Sequence, residues 1–206
     1  MPNVWILSSA IVGYLLGSLP FGYLVARAHG VDIFKVGSGN PGATNVKRVL
    51  GSKAGNTVFA LDALKGAVAA AWPMLPFVTS QDTRVMGLVG VIAAVLGHSF
   101  SMFTKFKGGK GVATAAGGLV VLIPIACLIG GAVWVLTFFL TRYVSLGSVL
   151  AALAVPVASW LLKNPLPLSL VATALGLFVV IRHRENIKRL LNGTESKFVK
   201  KPRVQA

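Results

Sequence analysis

Long apolar runs separated by short polar stretches recur along nearly the whole chain. The first, Val4 to Ala26, has the roughly 20 residues that a 30 Å hydrocarbon layer requires. Ala54 to Phe77 and Val85 to Phe103 follow. Gly111 to Thr141 carries no charge, is too long for one comfortable span and too short for two, and has Pro124 near its middle. A proline inside a helix removes a backbone donor and breaks the ladder. That run therefore reads as a short half-helix before Pro124 and a full helix after it. Leu146 to Leu162 and Leu166 to Ile181 complete the pattern. The expected fold class is all-α, a polytopic transmembrane helical bundle of about seven helical segments. A re-entrant half-helix would instead leave five or six spans. The first run lacks a basic leader and a small-residue cleavage site, so it reads as a span and not as a cleaved signal peptide.

Composition leaves little room for anything else. The chain of 206 residues is 55% apolar and 12% charged, so residues 1–206 read as a single integral membrane domain. A net charge of +15 raises the question of nucleic acid or anionic lipid, and placement decides it. Arg27, Lys35, Lys47, Arg48 and Lys53 border or fill the first polar loop, and Lys105, Lys107 and Lys110 fill another. Eight more basic residues lie between Arg182 and Arg203. Basic residues bordering spans mark cytoplasmic loops and anionic headgroups. The partner is thus membrane lipid and not nucleic acid, with the N-terminus outside and the C-terminus cytoplasmic. On that topology every polar motif shares the cytoplasmic side. Cys127 stands alone inside an apolar run, which argues against disulfides, thiolate catalysis and Cys-based metal sites. The three histidines and five carboxylates are scattered without ligand spacing, so no metal and no cofactor are expected.

Three polar motifs carry the chemistry. GSGNPGATN, Gly37 to Asn45, extends through Val46 and Lys47 to Arg48. Gly37, Gly39 and Gly42 permit positive φ and close backbone approach, so that consecutive N–H groups can face one anion. Ser38, Asn40, Thr44 and Asn45 add hydroxyl and amide groups, and Arg48 a planar fork suited to phosphate. A merely flexible turn would not need Asn40, Asn45 and Arg48 so closely spaced. The second motif, GHSFSMFTKFKGGKGVAT, runs from Gly97 to Thr114. Its Lys107, Gly108, Gly109 and Lys110 precede a helix start, a ready anion site, while Lys105 reads as a solvated loop charge. The spacing of a nucleotide-hydrolysing P-loop is missing, since Gly111 follows Lys110. The third, RHRENIKRLLNGTE, spans Arg182 to Glu195 and puts His183 and Asn186 on one helical face. Glu185 has Arg182 or Lys188 as pairing partners, and Glu195 stands where it can close a cap beside Asn192 and Gly193. Within the second span Asp62 and Lys65 lie three apart. They read as a local ion pair, or as Lys65 near the pocket, with a proton relay as the alternative.

This inventory is rich in phosphate binders and poor in groups for covalent chemistry, so the substrate should arrive already activated. The three motifs, in this order, closely resemble those of the bacterial acyl-phosphate-dependent glycerol-3-phosphate acyltransferases, over nearly the whole chain. The resemblance implies an integral inner-membrane enzyme that transfers a fatty acyl group from acyl phosphate to the 1-hydroxyl of glycerol 3-phosphate. The products would be lysophosphatidic acid and phosphate, in the first acylation of phospholipid biosynthesis. None of His29, His98 and His183 has an aspartate five residues on, which agrees with that class and not with acyltransferases of the HxxxxD type. Carried over by resemblance, Ser38 and Arg48 hold phosphate, Lys107 adds a phosphate contact, and His183 and Asn186 hold glycerol 3-phosphate. Ser145 is a weaker addition on the same face. The proton acceptor is either His183 or an oxygen of the acyl phosphate. A transporter for a phosphorylated metabolite and a lipid-binding scaffold are the rival readings.

Overall fold

A computed structural model describes residues 2–76, 78 and 82–198, with side chains from Val4 onward. Ten α-helices appear among the described residues, and no strand. Seven of them form the bundle: α1 (Pro2–Ser18), α4 (Ser52–Ala71), α5 (Thr83–Ser99), α6 (Val112–Leu122), α7 (Pro124–Thr141), α8 (Val144–Leu161) and α9 (Leu166–Arg182). Three short ones, α2 (Phe21–Ala28), α3 (Ala43–Leu50) and α10 (Arg184–Leu191), belong to the polar loops or flank them.

The chain runs up and down, so the ends of α1, α5, α7 and α9 and the starts of α4, α6 and α8 gather at one end of the bundle. Pro124 breaks the long uncharged run as expected, leaving α6 with 11 residues and starting α7 at its first position. Four stretches are long and apolar enough to span a membrane: Val4–Ala28, Thr83–Thr104, Pro124–Thr141 and Val144–Leu161. α9 and α10 make a fifth if counted together, bent by 58° at His183. α4, which carries Lys53, Asp62 and Lys65, is not among them. The first span forms as expected, with a break inside it. Pro20 has no N–H to donate, and α1 gives way to α2 at Leu19–Pro20. The carbonyls of Ser18 and Leu19 at this break accept from the Ser101 hydroxyl and the Lys65 ammonium. The second span ends as a helix at Ala71, followed by a 3-10 turn over Trp72–Met74; its expected last residue, Phe77, lies outside the described residues.

Small residues set the packing. Gly13 and Gly17 of α1 lie so close to Gly90 and Ala94 of α5 that a Cβ on either would strike their backbone. Gly66 and Gly117 do the same between α4 and α6. Membrane helices gain their association from such close approach, because lipid removes the hydrophobic drive between them. The core between α4, α5, α6 and α9 is built from Val91, Val95, Leu119, Ile123 and Leu175. A second core, Ala26, Ile33, Val46, Ala54 and Val58, anchors the first polar loop on α4. Outward, Leu128, Leu136, Phe139 and Leu140 of α7 stay exposed, as a lipid-facing helix requires.

Candidate active site

The first polar loop is shaped by its own amides. Gly37 and Gly39 take φ of +60° and +67°. The Asn45 side chain accepts from Ser38 N–H at 2.9 Å and donates to Val36 O at 3.0 Å, and Asn40 accepts from Gly42 N–H at 2.8 Å. Asn45 is almost fully buried in doing so. Asn40 and Asn45 therefore fold the loop, which leaves Ser38, Thr44 and Arg48 to face outward from it. Thr44 and Arg48 share one face of α3, four residues apart.

These groups wall a cavity of about 620 Å³ at the gathered end of the bundle. α3 and α6 both present their N-termini to it, through Gly42, Ala43 and Thr44 and through Gly111, Val112 and Ala113. Orphan N–H groups and the positive ends of two helix dipoles thus meet in one chamber. Arg48, Lys110 and Arg189 add full charges. Lys110 donates to Asn186 Oδ1. Its pKa is pushed down to about 8, mainly by burial; Glu195 opposes this, and Arg189, Arg182 and Arg48 reinforce it. A cation held this way is poised to lower its energy by meeting an anion.

The third motif supplies the opposite wall. His183 caps α9 and opens α10, where the 58° bend turns its ring into the cavity. Its Nδ1–H donates to Val179 O at 2.8 Å, which leaves Nε2 as the free acceptor. Burial, and then Lys110, push its pKa down to about 4. Asn186 Nδ2, Ser145 Oγ and Arg189 Nε all donate to the Glu195 carboxylate at 2.7 Å. Burial alone would raise the pKa of Glu195. The hydrogen bonds from Ser145, Asn186 and Arg189, with the Arg189 charge, hold it below the ordinary value instead. The cap expected beside Asn192 and Gly193 forms through backbone, with Glu195 N–H donating to Arg189 O, while the side chain anchors the site. Glu185 pairs at the surface with Arg184 and Lys188.

Asp62 and His98 line the floor. Lys65 pairs with Asp62 at 2.8 Å, the local ion pair expected from their spacing, and His98 Nδ1 lies 3.4 Å from the same carboxylate oxygen. Beyond Phe59, Val112, Trp134 and Ser148 the chamber continues into an apolar cleft of about 300 Å³ between α6, α7, α8 and α9. Trp134 Nε1 donates to Ser148 Oγ at this junction.

Of the residues singled out in the sequence, Gly37, Ser38, Asn40, Thr44, Asn45, Arg48, Lys110, Ser145, His183 and Asn186 line the cavity. Gly39 is not on that wall. Lys107, Gly108 and Gly109 border a neighbouring small cleft with Leu19, Pro20 and Lys65, which meets the cavity wall at Asp62 and His98. Phe59, Asp62, His98, Trp134, Ser148, Arg189 and Glu195 join the wall without having been expected there. Asp62 did carry a signal, as a charge inside an apolar run. Among the described residues no cluster of three His, Cys, Asp or Glu side chains could hold a metal ion.

Comparison with known proteins accords with this geometry. The family model described as glycerol-3-phosphate acyltransferase matches residues 7–193. The glycerol-3-phosphate acyltransferase of Allorhizobium ampelinum is 43% identical over 95% of this chain and 93% of its own length. The Bacillus subtilis protein of the same name is 46% identical over 91% of this chain and 94% of its own. The crystal structure of PlsY, an integral membrane glycerol 3-phosphate acyltransferase, in its glycerol 3-phosphate form superposes with a TM-score of 0.87 at 43% identity, covering 94% of this chain and 96% of that one. Its lysophosphatidic acid form gives 0.84 at the same identity, over 94% and 95%. By these matches, and by the cation-walled cavity its three motifs build, the chain belongs to the glycerol-3-phosphate acyltransferase family of integral membrane enzymes.

Proposed function

We propose that this enzyme transfers a fatty acyl group from acyl phosphate to the 1-hydroxyl of glycerol 3-phosphate, releasing lysophosphatidic acid and inorganic phosphate. The observation that carries this reading is a pair of adjoining spaces: a cationic chamber under two helix N-termini, and an apolar cleft that shares Phe59, Val112, Trp134 and Ser148 with its wall. Two phosphates and a fatty tail are what such a shape accommodates. The PlsY structures carry glycerol 3-phosphate and lysophosphatidic acid, an acceptor and a product of this kind.

In this mechanism Ser38, Thr44 and the α3 and α6 N-termini hold phosphate together with Arg48 and Lys110. Asn186 and His183 Nε2 orient the glycerol hydroxyl, and Glu195 fixes Asn186 and Ser145. The hydroxyl oxygen attacks the acyl carbon, the carbonyl-to-phosphate C–O bond breaks, and inorganic phosphate leaves. A histidine with its pKa near 4 is a weak base at neutral pH. The hydroxyl proton passes to a phosphate oxygen of the donor, and the mixed anhydride needs no acyl-enzyme intermediate. Lys107, outside the cavity wall, has no phosphate role in this reading.

The gathered end of the bundle faces the cytoplasm of a bacterial inner membrane. Arg27, Lys35, Lys47, Lys53, Lys105, Lys107 and Arg184 all lie at that end, while Arg84 and Lys163 lie at the other. Residues 1–206 act as one domain, and no cofactor enters the reaction.

Purified enzyme supplied with acyl phosphate should release phosphate only when glycerol 3-phosphate is present, with lysophosphatidic acid as the acylated product. Acylation from acyl-CoA but not from acyl phosphate would overturn the donor assignment. Uptake of glycerol 3-phosphate into proteoliposomes without acylation would overturn the reading entirely.

A further inference from the structure

Lys107, Gly108 and Gly109 stand in the middle of a phosphate-binding motif, yet none of them lines the cavity. Their contacts point to another purpose. Gly109 N–H donates to the carbonyl of His98 at the end of α5. From the other side, Arg182 Nη2 at the end of α9 donates to Gly109 O at 2.8 Å and to Gly108 O at 3.4 Å. The Arg182 guanidinium lies over the Phe100 ring, 5.3 Å from its centroid. A Cβ at Gly108 would strike the His98 carbonyl, and one at Gly109 the His98 ring. The two glycines therefore let the loop sink between α5 and α9. Lys110 leaves this gripped segment and reaches Asn186. Arg182 itself does not line the cavity.

We infer that Arg182 is a positioning residue: its hydrogen bonds to the Gly108 and Gly109 carbonyls hold the loop so that Lys110 points into the cavity. It also ties that loop to the α9–α10 bend, which carries His183 and Asn186 next in the chain. A planar fork suits the task because one nitrogen spans two successive carbonyls while the face packs on an aromatic ring. The inference rests on the reading above that Lys110 contacts a substrate phosphate.

The test is a double-mutant cycle on the full-length enzyme with Arg182→Gln and Lys110→Met, measuring kcat and KM for both substrates. Arg182→Gln should raise KM for the substrate whose phosphate Lys110 holds by about 10- to 100-fold, the range for losing hydrogen bonds to a charged group, with kcat within about threefold. In the Lys110→Met background the same change should cost no more than about twofold, because residues acting through one contact are not additive. Arg182→Lys, which keeps one donor, should recover part of the loss. If Arg182→Gln cannot be purified folded, the cycle is run with Arg182→Lys, where the same non-additivity is required. Full multiplication of the two single losses, a kcat-only defect, or wild-type kinetics in Lys110→Met would each overturn the inference. Inactivity of the wild type with acyl phosphate would fail the proposed function instead, and the cycle would then be run with whichever donor supports turnover.

Discussion

At the scale of single residues, the site concentrates cations, and of its two carboxylates Asp62 pairs with Lys65 while Glu195 orients Ser145, Asn186 and Arg189. Arg48 of α3 lines the cavity with Ser38 and Thr44, and shares it with Lys110 and Arg189. Arg48→Ala should lower kcat/KM by about 10²-fold or more, the scale of losing one preorganised charge contact; steady-state assays at saturating donor would show it. His183→Gln keeps an acceptor where Nε2 stands, so turnover should fall modestly and the pH–rate profile should keep its shape. Loss of a titration step from that profile would restore His183 as the base. Lys110 gives the opposite expectation. Its pKa near 8 lies below an ordinary lysine, so the charge is present below that pH and lost above it. KM for a phosphate-bearing substrate should therefore climb severalfold as pH passes about 8, and Lys110→Arg, charged throughout, should flatten the climb.

At the scale of elements, breaks matter more than lengths. Pro20 and Pro124 interrupt apolar runs, and each break shapes the surroundings of the site: the first frees a carbonyl for Lys65, the partner of Asp62, and the second ends α6 early, a short helix whose N-terminus stands at the cavity. α7 packs mainly on α8, which leaves room for the apolar cleft between it and α6 and α9. Gly131 on α7 lines this cleft, with nothing within 4 Å of where a Cβ would stand. Gly131→Leu should fold normally and fill the cleft, shifting acyl-phosphate preference to shorter chains with KM for glycerol 3-phosphate unchanged. A series of donors differing only in chain length reads the shift directly, and an unchanged profile would move the acyl tail elsewhere.

At the scale of the whole molecule, the up-and-down course puts all three motifs at one end, with short α6 entering the bundle from that same end. Orientation then follows from where the basic residues lie. A cysteine placed at Lys105 should react with a membrane-impermeant maleimide only after cells are opened, and one at Lys163 in intact cells. The reverse pattern would place the cavity outside.

Much of this was written into the sequence. Apolar run lengths and Pro124 announce the bundle, because a hydrocarbon layer demands helices of set length and a proline cannot continue one. Closely spaced glycines, amides and cations announce an anion site, because those groups bind anions wherever they meet. Pro20 leaves no mark in the hydropathy of the first run, which registers apolar content and not a missing N–H. Only the tertiary structure decided which loop residues face the substrate. Lys107 and Lys110 sit three apart in one glycine-rich loop, yet only Lys110 lines the main cavity, because His98 and Arg182 grip the backbone between them. The same reason hides from the sequence that Glu195 and Arg189 join the cavity wall. Their part in the site comes from a chain reversal after α10 that brings Glu195 to Ser145, fifty residues away along the chain. Local chemistry is a property of residue types, whereas direction and proximity are properties of the packed helices.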